Sequence, residues 1–158
     1  MNEKDMEVLE LLRDDARMAH SEIARMLGWT EQQVSESVER LEKSGAIVRY
    51  KAAVNWDKVS GPEQVRALIE IKVAPRRGFG FDKVAERIYQ FHKVRSLYLL
   101  SGGYDLLAVV EGHTLHDVAG FVSEKLSTLD DVQSTATHFI LKCYKDDGDI
   151  FQPVPKAG

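Results

Sequence analysis

The chain has little cysteine, no excess of positive charge and no long apolar run. Its single cysteine, Cys143, excludes an intrachain disulfide framework and any all-cysteine zinc site. Lying on an apolar stretch, it is expected to be a small hydrophobe, not a nucleophile. There are 21 Lys and Arg against 25 Asp and Glu, a net charge of −4, so binding to nucleic acid would need a local basic surface. No apolar run approaches the roughly 18 residues of a membrane span. The start, Met1-Asn2-Glu3-Lys4-Asp5, is acidic and leads into a helix, unlike a signal peptide, so the expected location is the cytoplasm. No nucleophile–base arrangement, phosphate loop or zinc signature stands out. What is there is an ordinary globular composition, 44% hydrophobic and 29% charged over 158 residues. That length suits one ordinary domain or two small ones.

Charge and pattern divide the chain. Residues 1–50 hold 7 basic and 11 acidic residues, whereas residues 51–158 hold 14 of each. The first part reads as helices. Met6, Leu9 and Leu12 recur at helical spacing within Lys4–Asp14. Ile23, Ala24 and Leu27 share a face over His20–Leu27, and Gly28 follows as a left-handed end. Thr30-Glu31-Gln32-Gln33 matches a capping box that starts a third helix, with Val34, Val38 and Leu41 inward and Gly45 at its end. Ala46–Val54 reads as extended. Three short helices and a strand make the winged helix-turn-helix pattern, whose second paired helix can enter a major groove. A bundle that only dimerises is the alternative.

After a linker over residues 51–65, strands and helices alternate. The predicted order is a strand at Arg66–Val73, a helix at Asp82–Phe91 and a strand at Val94–Leu100. A turn at Gly102-Gly103 leads to a return strand at Asp105–Val110, a helix at Thr114–Leu126 and a strand at Val132–Tyr144. This is the ferredoxin-like β-α-β-β-α-β arrangement. The expected class is therefore α+β: a winged helix-turn-helix domain at 1–50, a βαββαβ domain at 66–145 and a tail at 146–158. Both helices should cover one face of the sheet, and apolar residues on the other face call for a cover such as a second copy.

The residues Ala16-Arg17, Glu22-Ile23-Ala24-x-x-Leu27-Gly28, Val38-x-Arg40-Leu41-Glu42-x-x-Gly45-x-Ile47, Gly103-Tyr104-Asp105 and Thr135-x-Thr137-x-x-Ile140-Leu141 occur in order. Through them the chain resembles the Lrp/AsnC (feast/famine) family of transcription regulators over about residues 3–145. The resemblance implies a DNA-binding N-terminal domain and a ligand-sensing, oligomerising C-terminal (RAM) domain. It implies dimers paired through open sheets, assembly of dimers into octamers, and amino-acid effectors bound between dimers near the hairpin turn, with no other cofactor. Two positions depart from the family. Ala19 stands where Ser or Thr usually caps the second helix, a loss of about 1 kcal/mol that His20 or Ser21 would have to offset. Ser37 stands where a basic residue is common, leaving the third helix short of positive charge.

On that helix Gln32, Gln33 and Glu36 are candidates for base edges, because Gln pairs with adenine and Glu accepts from cytosine. Thr30 and Ser35 lie beside them. Arg25, Arg40, Lys43 and Arg49 are candidates for phosphate. The competing view is a solvated acidic face of Glu31, Glu36 and Glu39. For the effector, the backbone of Gly102 and Gly103 offers amides to a carboxylate, Asp105 can accept from an ammonium, Tyr104 can wall the pocket, and Thr135 and Thr137 supply hydroxyls. A plain two-residue hairpin is the alternative. Arg76-Arg77-Gly78-Phe79-Gly80 is expected to be a solvated loop. The tail is acidic, then Pro-rich, and its Ile150-Phe151 either docks on a neighbouring subunit or stays disordered. Two other functions fit the same architecture. One is a sirohaem-decarboxylase-like enzyme, for which His92, His113, His116 and His138 are scattered, although His113 and His116 have a metal-like spacing. The other is a sensing partner that has lost DNA binding.

Overall fold

In a computed structural model, which describes residues 2–61, 63–74 and 80–152, the chain divides into two units, Met1–Val54 and Asn55–Gly158. Helix α1 (Glu3–Asp14) starts at a reciprocal cap. The Asp5 N–H donates to Asn2 Oδ1 at 2.7 Å, and the Asn2 N–H donates back to Asp5 Oδ2 at 3.1 Å. Helix α2 (His20–Leu27) begins at Ala19 with no side-chain cap, so neither His20 nor Ser21 replaces the missing one. It ends at Gly28, whose φ of 66° lets the Trp29 N–H reach back to the Ala24 carbonyl at 2.8 Å. That reversal fixes where helix α3 (Glu31–Lys43) departs, capped by Thr30 and Gln33. Val8, Leu12, Ile23, Ala24, Val34, Val38 and Leu41 form the buried core of this unit.

The wing strand expected over Ala46–Val54 is absent: among the described residues no strand lies there. A strand needs a neighbouring backbone for its N–H and C=O groups, and this unit contains no other strand. The segment is tied instead by the Ala46 N–H to Ser44 Oγ at 3.4 Å, the Ile47 N–H to the Leu41 carbonyl and the Tyr50 hydroxyl to Glu42 Oε1 at 2.8 Å. Val48 stays 89% exposed.

Two polar side chains, bonded to each other, lie inside this first unit. Asp5 is buried on α1, and its Oδ1 accepts from the Ser37 hydroxyl at 2.5 Å and from Arg40 Nη2 at 2.9 Å, both on α3. Ser37 is fully buried. It is therefore a core residue, and the shortage of positive charge read from that position does not concern the exposed face of α3. Helical spacing carries the reason, since position 37 lies between Val34 and Leu41 in the inward stripe. The Ser37 hydroxyl, the Asn2 amide and the Arg40 guanidinium together hold the Asp5 carboxyl down from 3.8 to about 2, against the opposing effect of burial.

The second unit is an antiparallel sheet with strands in the order β2-β3-β1-β4. Strands β1 (Val65–Val73), β2 (Val94–Leu99), β3 (Leu106–Gly112) and β4 (Val132–Phe139) alternate with α4 (Gly80–Tyr89) and α5 (Leu115–Phe121). Ile69 faces Ala108 on one side and Thr137 on the other, which sets the register. The odd-numbered residues Ala67, Ile69, Ile71 and Val73 point to the helices and are buried with Ala108, Val84, Ile88, Val118, Phe121 and Leu126. Leu68, Glu70, Leu107, Val109 and His138 lie on the opposite face.

Three elements differ from the sequence-based expectation. The second helix of this unit changes to a π-helical turn over Val122–Leu126. Strand β4 stops at Phe139 and not at Tyr144, because β1, its partner, begins at Val65 and only the Ile140 N–H still reaches Arg66. A small hairpin follows, β5 (Lys145–Asp146) with β6 (Asp149–Ile150), turned by Asp147 and Gly148 at φ 47° and 89°. Its Phe151 N–H donates to the Tyr144 carbonyl, and Asn55 Nδ2 donates to the Phe151 carbonyl at 3.0 Å, so Ile150-Phe151 is an ordered part of its own unit. The Arg76–Phe79 part of the predicted solvated loop and the two prolines of the tail lie outside the described residues.

Two stability tests follow from this packing. Asp5→Ala removes the cap acceptor and strands the buried Ser37 hydroxyl, at a cost of about 2–4 kcal/mol in urea unfolding. The depressed carboxyl adds a pH signature. Its stabilisation is complete above about pH 4 and is lost as pH falls through about 2. Asp5→Asn should flatten the acid side of the stability curve in that window. Gly112→Ala would place a Cβ 2.6 Å from Asp117 Oδ2 and 2.9 Å from Val118 Cγ2. The Asp117 carboxylate cannot swing away, because Lys93 Nζ holds both of its oxygens at 2.7 Å and the His113 N–H donates to Oδ2 at 3.0 Å. A loss of about 1–3 kcal/mol is expected in the same assay.

Candidate functional site

The predicted contacts of the first unit lie on α3 and its cap, apart from Arg25 on α2 and Arg49 beyond the end of α3. Thr30 Oγ1 accepts from the Gln33 N–H at 3.2 Å, and Gln33 Oε1 accepts from the Thr30 N–H at 3.0 Å, so the Gln33 side chain is turned back on the cap. Gln32 points outward, and its Nε2 donates to Glu36 Oε1 at 3.0 Å. Ser35 is exposed between them. One turn further, Lys43 Nζ pairs with Glu39 Oε1 at 2.5 Å, which also holds the Glu39 carboxyl below its usual range. Arg25 on α2 lies 3.8 Å from Glu22, with both side chains largely exposed.

These cations differ in how readily they can serve a phosphate. Exposed pairs such as Lys43–Glu39 and Arg25–Glu22 are weak and screened, so an incoming phosphate displaces the carboxylate at little cost. Arg40 is different. Its partner Asp5 is buried, and withdrawing the guanidinium would leave that carboxylate with one partner fewer in a dry site. Arg40 therefore belongs first to the joint between α1 and α3.

In the second unit, the connection from β2 to β3 is longer than a two-residue turn. The Leu100 N–H donates to the Asp105 carbonyl at 2.9 Å, closing a four-residue loop, Ser101 to Tyr104. Gly102, at φ 149°, and Gly103 are exposed, while Tyr104 and Asp105 are half-buried. Asp105 fastens the loop to the end of β1: its Oδ2 accepts from the Val73 N–H at 2.8 Å, and its own N–H donates to the Ile71 carbonyl at 3.1 Å. Thr135 and Thr137 lie opposite Ile71 and Ile69 on the edge strand β4. They share the helix-side face with those core residues, and Thr135 Oγ1 lies 3.3 Å from Ser127 Oγ. Strand β1 separates them from the loop strand β3, a gap of about 10 Å. A shallow groove of about 290 Å³ between α4 and β2, lined by Phe81, Tyr89, Arg95, Leu97 and Leu99, went unnoticed in the sequence. Among the described residues no group of three His, Cys, Asp or Glu could hold a metal, and no helix is long and apolar enough to cross a membrane.

Comparison with known proteins places both units. Residues 1–42 match the AsnC-type helix-turn-helix domain, and residues 66–150 match the Lrp/AsnC ligand binding domain. The chain is 51% identical to the uncharacterized HTH-type transcriptional regulator YugG of Bacillus subtilis over 152 residues, 96% of this chain and 92% of that one. It is 33% identical to the HTH-type transcriptional regulator LrpA of Pyrococcus horikoshii, covering 92% of this chain and 99% of the relative. Its fold matches the crystal structure of the transcriptional regulator NMB0573/L-Met complex from Neisseria meningitidis with a TM-score of 0.72 at 19% identity, over 92% of this chain and 93% of that one. The relatives are regulators, which decides against the sirohaem-decarboxylase-like alternative. With both domain models matched in chain order and extensive identity to such regulators, the chain belongs to the Lrp/AsnC family: it is a DNA-binding transcriptional regulator with a ligand-binding domain.

Proposed function

We propose that this regulator controls genes of amino-acid-related metabolism in response to a free amino acid, which binds at the Gly102–Asp105 loop between dimers of a homo-oligomer, with the octamer as the working assembly. The observation that carries this proposal is the anchoring of Asp105. The bond from the Val73 N–H fixes a carboxylate beside two exposed glycines. A carboxylate next to open backbone amides is the complement of a zwitterion, since it attracts the ammonium while the amides receive the carboxylate. The related fold of the Neisseria protein, described as an L-Met complex, agrees with that chemistry.

Dimerisation is supported by the sheet face opposite the helices. There Leu68, Leu107 and Val109 form an apolar strip, with Tyr98 53% exposed beside it. Ion pairs of Glu111 with Arg66 and with Arg95, at 3.3 Å each, border the strip, as does a hydrogen bond between His138 Nε2 and Glu70 Oε2 at 2.6 Å. An apolar centre with a charged rim is the make-up of a protein interface. With the pairs formed inside each copy, the charges need no partner across it.

Melting of the full chain with each proteinogenic amino acid, alongside gel filtration, tests the proposal. One amino acid, or a few of similar side chain, should stabilise the chain by about 2.7 kcal/mol at a hundred times its Kd. Asp105→Asn should abolish that effect without unfolding the protein, because the amide oxygen can still accept from Val73. No shift with any amino acid would move the effector to another chemical class. A monomer in solution would remove the inter-dimer site.

A further inference from the structure

We infer that Gln32 and Glu36 act as one reading unit on α3, with Glu36 both orienting the Gln32 amide and selecting cytosine close to the adenine that Gln32 reads. The inference rests on α3 being the helix that enters the major groove, and it adds which residues set sequence preference and how.

The geometry is direct. Both side chains are exposed and one helical turn apart, about 6 Å along the axis, in the N-terminal half of the helix that faces bases in this motif. Gln32 Nε2 donates to Glu36 Oε1 at 3.0 Å. That bond settles which end of the Gln32 amide is nitrogen and turns it toward Glu36. The amide nitrogen carries two hydrogens, so one can serve Glu36 while the other remains beside Oε1 for a base. A donor and an acceptor side by side match the N7 and N6 edge of adenine.

Glu36 keeps a second carboxylate oxygen and further lone pairs. In the major groove the cytosine edge presents a donor alone, whereas guanine and thymine present acceptors that a carboxylate repels. Glu36 therefore selects chiefly by rejection, which raises discrimination while lowering general affinity for a polyanion. The neighbours on this helix do not compete for the role. The Gln33 side chain is engaged at the cap, Glu39 lies in the C-terminal half of the helix, and Arg40 is held by Asp5. The spacing of the two side chains, set against a base-pair rise of about 3.4 Å, places the two bases within two steps of each other.

The test is selection from a randomised duplex library, with sequencing, by the full-length wild type, Gln32→Ala and Glu36→Gln. Both positions are exposed, so circular dichroism and melting temperature should not change. Wild type should enrich an adenine and a cytosine within two steps, each wrong base costing about 5- to 150-fold in affinity. Gln32→Ala should lose preference at the adenine alone. Glu36→Gln should lose it at the cytosine, weaken it at the adenine, and bind unrelated DNA more tightly. If Glu36→Gln changes binding to all sequences by one common factor, Glu36 is only a surface charge and the inference is overturned. A wild type that binds DNA in a salt-dependent way but selects no sequence also overturns it. A wild type that binds no DNA even at low salt would instead contradict the DNA-binding assignment on which the inference rests.

Discussion

A buried carboxylate between α1 and α3 constrains the first unit more than any other polar contact described. The Asp5 carboxylate completes the cap of its own helix by accepting from the Asn2 N–H, receives the hydroxyl of a fully buried serine and holds the guanidinium of Arg40. A charge in an apolar core is tolerated only when its lone pairs are occupied, so the three donors have to stay in place together. Two of the donors are on α3. The rotation of α3 about its axis is thereby tied to α1, and with it the set of side chains that α3 turns outward. Val34, Val38 and Leu41 would also be buried by a slightly rotated helix, because apolar packing is not directional. The Asp5 bonds are directional and remove that freedom.

The same joint shapes the electrostatics of DNA binding. It takes Arg40 out of the pool of ready cations and leaves α3 one other cation, Lys43, which is paired with Glu39 beside the acidic Glu31, Glu36 and Glu42. Binding to a polyanion then depends on breaking exposed pairs such as Lys43–Glu39, each worth little. A single N-terminal domain of this kind has few phosphate contacts to offer and so a shallow salt dependence. In the proposed homo-oligomer, several such domains on one DNA would restore affinity through effective concentration, by about 10² to 10⁴. A weak reader in such an assembly would also respond to an effector that changed the number of linked domains, since avidity changes without touching the DNA contacts.

Much of this architecture is legible in the sequence because it rests on local rules. The Thr30–Gln33 cap, the Gly28 reversal and the alternating burial along β1 all follow from spacing within a few residues. The features that escaped depend on partners distant in the chain. Whether Ala46–Val54 becomes a strand depends on another strand to pair with, which local propensity cannot supply. The end of β4 is set by where β1 begins. The cap role assigned to Gln33 competes with a base-reading role, and only the geometry separates them. The β5–β6 hairpin and the place of Ser37 were within reach. Asp147-Gly148 is a strong hairpin signal that an acidic, tail-like setting obscured, and Ser37 fell in an inward stripe that had already been drawn.

The proposed effector residues depend on contacts of another kind. Sequence proximity to a family pattern grouped Gly102–Asp105 with Thr135 and Thr137, yet β1 lies between them and the threonines face the helix layer of their own sheet. The head group of an amino acid is too short to bridge both sets within one chain. If both sets do contact one ligand, the loop must come from one copy and the threonines from another. The effector would then be a bridge whose binding favours the assembled state, coupling occupancy to the number of DNA-binding domains held together. If the loop alone binds, occupancy and assembly are separable. The distance across β1 thus turns a question of specificity into one of stoichiometry, one ligand per interface or one per chain.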